Sequence, residues 1–425
     1  MKIPVFRGNG LSGEIVPPPD KSITHRALLV GAISRKGIRI VNPLVAGDTY
    51  STIDCLHKLG KNLVLNPGEI IIEPGPIVEA GEILYCGNSG TTARLLSGIL
   101  SAQNFFSVID GDDSLKQRPM KRVVEPLRKM GAKIFGRAGD SLLPLSIKGG
   151  PLQGLVFELD VPSAQVKSAI ILAALSAEGT TVVKEKIKAR DHLEKMLRWL
   201  GVDLKIQDKT ITVEGKSQVE GGEIAVPGDF SSAAFLISAA ILVPGSRVII
   251  KDVGFNPTRI GFIKVLERMG AKLSVLNLKS QGLEEVADLE VRSGPLKATE
   301  ITEEEIPSLI DEIPLLALLS TQAEGITRIT GAGELRHKET DRIRAMGENL
   351  RKMGARVEEP ENGLVIEGPT PLEGNQLISY GDHRIAMTLS IASVIARGET
   401  YIDGFESIKI SYPNFLKDLS SLSRL

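Results

Sequence analysis

Apolar segments without a polar face recur six times along the chain, at intervals of roughly seventy residues. They follow Ser22, Ser89, Ser163, Ser231, Asp311 and His383, and they span 27–33, 93–100, 169–175, 233–240, 313–319 and 385–395. A helix that is apolar around its whole circumference has to be buried. The pattern therefore predicts six buried helices at equivalent places in a repeated unit.

A second pattern follows the apolar segments. Most of them precede a Gly turn and a β-rich run, as at 179–183, 245–250 and 325–329. Amphipathic segments that end at a Gly, the usual helix stop, come next at 123–130, 192–200, 262–269 and 343–353. Each unit is thus predicted as strand, buried helix, strand, surface helix and strand, and six units make two halves of three. An open solenoid is the alternative, but its repeats are usually only about 20 to 50 residues long.

Bulk composition narrows the class of protein. A chain of 425 residues favours two domains. Lys and Arg (51) balance Asp and Glu (52), which argues against a nucleic-acid binder. The longest apolar stretch, 233–243, is shorter than the ~20 residues of a membrane span. Cys55 and Cys86 are too few for a disulfide framework. We expect a cytoplasmic protein with neither nucleic-acid nor membrane partners.

The predicted starts of the buried helices combine capping residues with cations. The caps are Asp20 or Ser22, Ser89, Ser163, Asp229, Asp311 and Asp382, and the cations are Lys21, Arg26, Arg94, Lys167 and Arg384. A cation there opposes the helix dipole, whereas an anionic ligand is attracted by dipole, backbone N–H groups and cation together. Clustering at equivalent repeat positions favours an anion site. For Arg94 and Lys167 taken singly, a solvated side chain beside an ordinary cap explains the sequence equally well.

Two further features each allow two interpretations. The basic segment 336–344 is either a charged helix face or part of the anion site. Asp311, at the start of an apolar helix, is either a plain N-cap or a general base. The five His residues show no spacing typical of metal ligands, so no metal site is expected.

Five segments carry a resemblance to a known family. Residues 20–27, 87–94, 116–120, 336–342 and 381–387 resemble, in the same order along the chain, signature segments of the 3-phosphoshikimate 1-carboxyvinyltransferase (EPSP synthase) family. The resemblance implies transfer of the enolpyruvyl group of phosphoenolpyruvate to the 5-hydroxyl of shikimate 3-phosphate. Phosphate would leave through a tetrahedral intermediate, without a cofactor. The reaction belongs to the shikimate pathway of chorismate and aromatic amino acid biosynthesis and is the target of glyphosate.

The resemblance also implies the architecture. The expected fold is a two-domain inside-out α/β barrel, with three βαβαββ repeats around a threefold pseudo-axis in each domain and the substrates in a cleft between domains. Residues 14–227 would form the shikimate 3-phosphate side. Residues 1–13 together with 228–425 would form the phosphoenolpyruvate and catalytic side. We expect a monomer.

Roles for individual residues follow from the resemblance alone. Shikimate 3-phosphate would be bound by Lys21, Ser22, Arg26, Ser163, Gln165, Asp311 and Lys338. Phosphoenolpyruvate would be bound by Lys21, Gly90, Arg118, Gln165, Arg342 and Arg384. Asp311 would take the hydroxyl proton, while Glu339 and Lys21 are the candidates for the proton on C3.

Some positions depart from the family pattern. Ala164 replaces a common second Ser, and Ile410 replaces a Lys found in some members, which leaves Lys409 as a possible substitute. Arg190 is either a further shikimate 3-phosphate ligand or a charge at a helix start. The alternative functions are the sister transferase acting on UDP-N-acetylglucosamine, which usually has Asn after the Lys of the first motif where this chain has Ser22, and a non-catalytic phosphometabolite scaffold.

Since each half of the chain carries only part of these residues, the sequence predicts closure of the cleft around substrate. Cations that face each other across the gap repel, and a polyanionic ligand reverses that balance. Small-angle scattering should therefore show a smaller radius of gyration with shikimate 3-phosphate than without it. The variant Lys338→Ala with Arg342→Ala should compact less. An unchanged wild-type radius at a ligand concentration where calorimetry shows saturation would contradict the prediction.

Overall fold

The computed structural model describes Met1 and residues 10–423. Residues 2–9, which the sequence analysis assigned to the second domain, lie outside the described residues. The chain divides into a continuous unit, Pro19–Val226, and a discontinuous unit, Met1–Pro18 with Pro227–Leu425.

Short strands and helices alternate through both units. The strands are β1 Ser12–Ile15, β2 Ile38–Val41, β3 Leu63–Asn66, β4 Glu69–Ile72, β5 Leu84–Tyr85, β6 Phe106–Asp110, β7 Lys133–Gly136, β8 Leu142–Lys148, β9 Val156–Leu159, β10 Thr180–Glu185, β11 Leu204–Gln207, β12 Thr210–Glu214, β13 Gly222–Ala225, β14 Arg247–Gly254, β15 Lys272–Gln281, β16 Glu284–Arg292, β17 Leu296–Lys297, β18 Glu300–Ile301, β19 Ala323–Ile329, β20 Arg356–Glu358, β21 Leu364–Gly368, β22 Gln376–Ile378 and β23 Tyr401–Asp403. The helices are α1 Lys21–Ala32, α2 Gly47–Lys58, α3 Gly90–Ser101, α4 Lys121–Met130, the short turn α5 Arg137–Asp140, α6 Ala164–Ala174, α7 His192–Trp199, α8 Phe230–Leu242, α9 Gly261–Arg268, α10 Ile306–Leu309, α11 Ile313–Ser320, α12 Arg342–Lys352, α13 His383–Ile395 and α14 Phe415–Ser421. 3-10 turns occur at Leu115–Gln117, Ile310–Glu312, Gly333–His337 and Phe405–Ile410.

The three sheets of the continuous unit share one topology. Their strand orders are β13-β2-β4-β3, β5-β6-β8-β7 and β9-β10-β12-β11. In each sheet the first pair of strands is parallel and the next two pairs are antiparallel. A parallel pair needs a crossover, and the buried helices α3 and α6 supply it for the second and third sheets. The first sheet takes its parallel strand, β13, from the far end of the unit.

The discontinuous unit repeats this arrangement, and its first sheet also takes its parallel strand, β1, from a distant part of the chain. The order β1-β14-β16-β15 begins with a parallel pair in which Ser12 aligns with Arg247 and Ile15 with Ile250. The second sheet runs β17-β19-β21-β20, with β18 also on β19. Among the described residues the third sheet is the parallel pair β22-β23. Residues 12–15 are therefore held in this unit by strand pairing with residues far along the chain.

The six predicted buried helices are confirmed as α1, α3, α6, α8, α11 and α13, and their side chains form the cores of the two units. The predicted surface helices are also confirmed, as α4, α7, α9 and α12. In the sixth repeat, β23 is followed by the 3-10 turn Phe405–Ile410 and then by α14. No helix among the described residues is long and apolar enough to cross a membrane.

Helices α3 and α6 pack against each other in the continuous unit, and Gly98 allows their backbones to approach closely. A Cβ atom at Gly98 would lie 2.3 Å from the carbonyl oxygen of Ala169. Atoms cannot approach that closely, so any side chain at 98 would push the helices apart.

Gly98→Ala should destabilise the protein by about 1–3 kcal/mol, the usual cost of overpacking a core. Ala is the better helix former by about 1 kcal/mol, so a loss would identify the contact as its cause. Gly81→Ala is the control, because a Cβ there has no heavy atom within 4 Å. Urea unfolding measures both variants, and equal midpoints would contradict the prediction.

Candidate active site

The predicted site residues of the continuous unit gather at the starts of α1, α3 and α6. Lys21, Ser22 and Arg26 lie on the first turns of α1, and Gly90 is the first residue of α3. The remaining members are Arg118, before α4, and Ser163 and Gln165, at the start of α6. Asp20, Ser89 and Ser163 accept backbone N–H groups of these helices, which confirms them as N-caps.

Both cations of α1 have fixed partners. The Lys21 ammonium lies 2.8 Å from the carboxylate of Asp48, on the first turn of α2. The Arg26 guanidinium donates to the carbonyl of Ser22 at 3.1 Å and to the hydroxyl of Ser168 at 3.2 Å. These contacts tie the start of α1 to α2 and α6.

A second group of contacts joins α3 to α6. Arg94 Nη1 donates to Gln165 Oε1 at 2.7 Å, and Gln165 Nε2 donates to Thr91 Oγ1 at 2.9 Å. Arg94 also donates to the carbonyl of Pro119 at 3.1 Å. Of the two interpretations of Arg94, these contacts rule out a solvated side chain, and the residue holds Gln165 in place.

Gly90 lies beside two guanidinium groups. A Cβ at this position would lie 2.7 Å from Arg94 Nη1 and 3.5 Å from Arg118 Nη1. Arg118 itself is held by Asn88, through the carbonyl at 3.0 Å and Oδ1 at 2.5 Å, and by Ser114 at 3.1 Å. Two Arg side chains therefore converge on the N-terminus of α3, the arrangement that favours an anion.

A buried chain of hydrogen bonds lies behind these cations. His25 Nδ1 and Thr52 Oγ1, then Thr52 and Thr92, and then Thr92 and Ser89 are each 2.7 Å apart. Burial and the charges of Lys21 and Arg26 hold the pKa of His25 well below its usual range. The lowered pKa favours the neutral imidazole, so the chain of hydrogen bonds joins α1, α2 and α3 without adding charge.

The predicted site residues of the discontinuous unit centre on Arg342, whose side chain is 1% exposed. Its guanidinium lies 2.7 Å from Asp382, 2.5 Å from Glu339 and 3.3 Å from Asp311. Burial disfavours the charged form, but these three carboxylates outweigh it and raise the pKa of Arg342. Arg384 Nε lies 3.5 Å from the same oxygen of Asp311.

Asp311 does not cap helix α11. It lies in the 3-10 turn Ile310–Glu312, and Glu312 occupies the N-cap position of α11 without a side-chain cap. The capping prediction is wrong at this position because the 3-10 turn moves the helix start along the chain. The Asp311 carboxylate instead faces Arg342, Arg384 and Arg259.

Other predicted positions are placed less centrally. Lys338 is half-buried and directly precedes Glu339, and Lys409 is exposed on the 3-10 turn Phe405–Ile410.

The interpretation of Lys167 as part of an anion site is wrong. Its fully buried ammonium lies 2.6 Å from Glu194 and 3.0 Å from Glu185, so it is a structural ion pair.

Among the residues with direct contacts to this set, the sequence analysis missed the charged residues Asp48, beside Lys21, and Arg259, beside Asp311. The repeat itself carries a signal for Arg259. An Arg precedes or begins the surface helix in four successive units, at Arg118, Arg190, Arg259 and Arg342. Asp48 belongs to the first unit, which has no residue equivalent to these Arg residues. The repeat therefore gives no signal for Asp48.

Comparison with known proteins places this arrangement in a family. The family model described as EPSP synthase (3-phosphoshikimate 1-carboxyvinyltransferase) matches residues 5–419. The 3-phosphoshikimate 1-carboxyvinyltransferase of Bacillus licheniformis is 47% identical over 419 residues, covering 98% of both chains. That of Thermodesulfovibrio yellowstonii is 47% identical over 426 residues, covering 99% of both.

Solved structures agree. An EPSP synthase from Acinetobacter baumannii matches with a TM-score of 0.87 and 40% identity, covering 99% of this chain and 98% of the other. The enolpyruvyl transferase NikO from Streptomyces tendae matches with a TM-score of 0.79 at 19% identity, covering 99% and 96%, which shows the shared fold. The predicted inside-out α/β fold is confirmed, and the chain belongs to the EPSP synthase (3-phosphoshikimate 1-carboxyvinyltransferase) family.

Proposed function

We propose that this chain transfers the enolpyruvyl group of phosphoenolpyruvate to the 5-hydroxyl of shikimate 3-phosphate and releases phosphate. The observation that carries the proposal is the position of Asp311. One of its oxygens lies 3.3 Å from Arg342 and 3.5 Å from Arg384. These cations keep the carboxylate ionised, and when a substrate anion takes their place beside it the carboxylate can accept a proton.

The substrates explain why so many cations are needed. Each brings a carboxylate and a phosphate, and like charges can be gathered only where cations and N–H donors compensate them. We assign shikimate 3-phosphate chiefly to residues 14–227, and phosphoenolpyruvate and the catalytic groups chiefly to residues 1–13 with 228–425. The proposed shikimate 3-phosphate ligands are Lys21, Ser22, Arg26, Ser163, Gln165, Asp311 and Lys338.

Phosphoenolpyruvate takes the Arg-rich positions in this proposal. Its ligands are Lys21, Gly90, Arg118, Gln165, Arg342 and Arg384. Planar guanidinium groups match the paired oxygens of phosphate and carboxylate. Because Gly90 has no side chain, an anion beside Arg94 and Arg118 can approach the backbone N–H groups of α3.

The chemistry proceeds by addition and elimination. Asp311 accepts the proton of the 5-hydroxyl while the hydroxyl oxygen bonds to C2 of phosphoenolpyruvate and C3 gains a proton. In the tetrahedral intermediate C3 then loses a proton and the C2–O bond to phosphate breaks. The surrounding cations stabilise the charge on the departing phosphate.

Glu339 and Lys21 are the proposed groups for the C3 proton. The Lys21 ammonium is paired with Asp48, and a charged ammonium suits proton donation. The Glu339 carboxylate is paired with Arg342, and an ionised carboxylate suits proton removal. We assign donation of the C3 proton during addition to Lys21, and its removal during elimination to Glu339.

We further propose that the protein acts as a monomer in the cytoplasm.

A phosphate-release assay tests the function. Purified protein is mixed with phosphoenolpyruvate and either shikimate 3-phosphate or UDP-N-acetylglucosamine. Release of phosphate only when shikimate 3-phosphate is the acceptor supports the proposal. Release with UDP-N-acetylglucosamine alone would identify the sister transferase, and binding of shikimate 3-phosphate without turnover would identify a scaffold.

Asp311→Asn should lower kcat by about 10²- to 10⁴-fold, the usual contribution of a general base. The KM for shikimate 3-phosphate should change little, since the carboxylate acts mainly in the transition state. Asp252→Asn is a matched control, because Asp252 is half-exposed in the same unit and pairs only loosely with Lys279, at 3.5 Å. Near-normal turnover of Asp311→Asn would remove Asp311 from the mechanism.

A further inference from the structure

Arg259 lies in the turn between β14 and α9, outside every segment assigned above to substrate. Its side chain is 3% exposed. Burying a guanidinium is costly unless anions and acceptors compensate for the lost water. Its contacts therefore indicate why a cation is kept at this position.

The guanidinium contacts two consecutive acidic residues by two routes. Arg259 Nη1 lies 3.6 Å from Asp311 Oδ2. Arg259 Nη2 donates to the hydroxyl of Ser231 at 2.7 Å, and that hydroxyl donates in turn to the buried carboxylate of Glu312. Asp229 lies 3.7 Å from Nη2 and completes the surroundings. Arg259 thus holds the turn Ile310–Glu312 directly and through Ser231.

The two oxygens of Asp311 face different cations. Oδ1 faces Arg342 and Arg384, which are the proposed ligands of phosphoenolpyruvate. Oδ2 faces Arg259. A bound anion competes with Asp311 for Arg342 and Arg384, whereas the buried Arg259 is not assigned to substrate. In the proposed function, Arg259 therefore keeps its contact with Asp311 when an anion binds.

We propose that Arg259 is a positioning residue for the general base Asp311, an inference that rests on the function proposed above. By holding Oδ2, it leaves Oδ1 directed to the substrate side, where the proton of the 5-hydroxyl is transferred to it. A Lys cannot replace it, because an ammonium is a single point of charge while the guanidinium forks between Asp311 and Ser231.

Arg259→Lys keeps the buried charge and should lower kcat by up to about 100-fold, the cost of misplacing a reacting group by about 1 Å. The KM values of both substrates should change little, because Arg342 and Arg384 are untouched. Arg247→Lys is the control, since Arg247 is an Arg on β14 that pairs with Glu290 at 2.7 Å and takes no part in holding the turn Ile310–Glu312. Its kcat should stay near wild type. Arg259→Gln, which keeps a donor for Ser231, repeats the measurement if Arg259→Lys does not fold.

A double-mutant cycle shows whether Arg259 acts through Asp311. In the Asp311→Asn background, Arg259→Lys should lower kcat no further, because both changes affect the same proton transfer. Normal kcat in Arg259→Lys, an equal loss in both backgrounds, or an equal loss in Arg247→Lys would each overturn the inference. Normal kcat in Asp311→Asn would instead overturn the assigned role of Asp311, and the inference with it.

Discussion

The structure depends on the burial of helices that have no polar face. Such a helix has to be covered on every side, and in each unit the covering consists of similar sheets and amphipathic helices contributed by successive repeats. Once the sides of α1, α3 and α6 are buried, their ends are where polar groups can lie without losing partners. Capping residues, backbone N–H groups and cations therefore collect at the helix starts, and the candidate site follows from how the core is packed.

This constraint also explains which features could be predicted from the sequence. The buried helices and most of their caps follow from local patterns, because apolarity and capping are properties of neighbouring residues. The partners of Lys167 and Asp311 do not follow, because Glu185, Glu194 and Arg259 come from other elements of the fold. A cation at a helix start can turn toward a ligand or into the core, and only tertiary contacts decide between the two.

Most of the proposed substrate-binding cations already have partners within the chain. Lys21 is paired with Asp48, and Arg342 with Asp382, Glu339 and Asp311. In the proposed function, substrate anions exchange partners with resident carboxylates, so that affinity is the difference between two sets of ion pairs. A carboxylate that an arriving anion releases from an Arg also becomes a stronger proton acceptor.

The contact between Gly98 and Ala169 has a consequence beyond packing. Gly98 lies one helical turn after Arg94, and Ala169 lies one turn after Gln165, so the two pairs are stacked along facing sides of α3 and α6. The distance that the Arg94 guanidinium must span to reach Gln165 is consequently set by a residue with no side chain. Gly98 thus sets the separation of α3 and α6. How far the Arg94–Gln165 contact of the candidate site can be lengthened is therefore determined one helical turn away, inside the core.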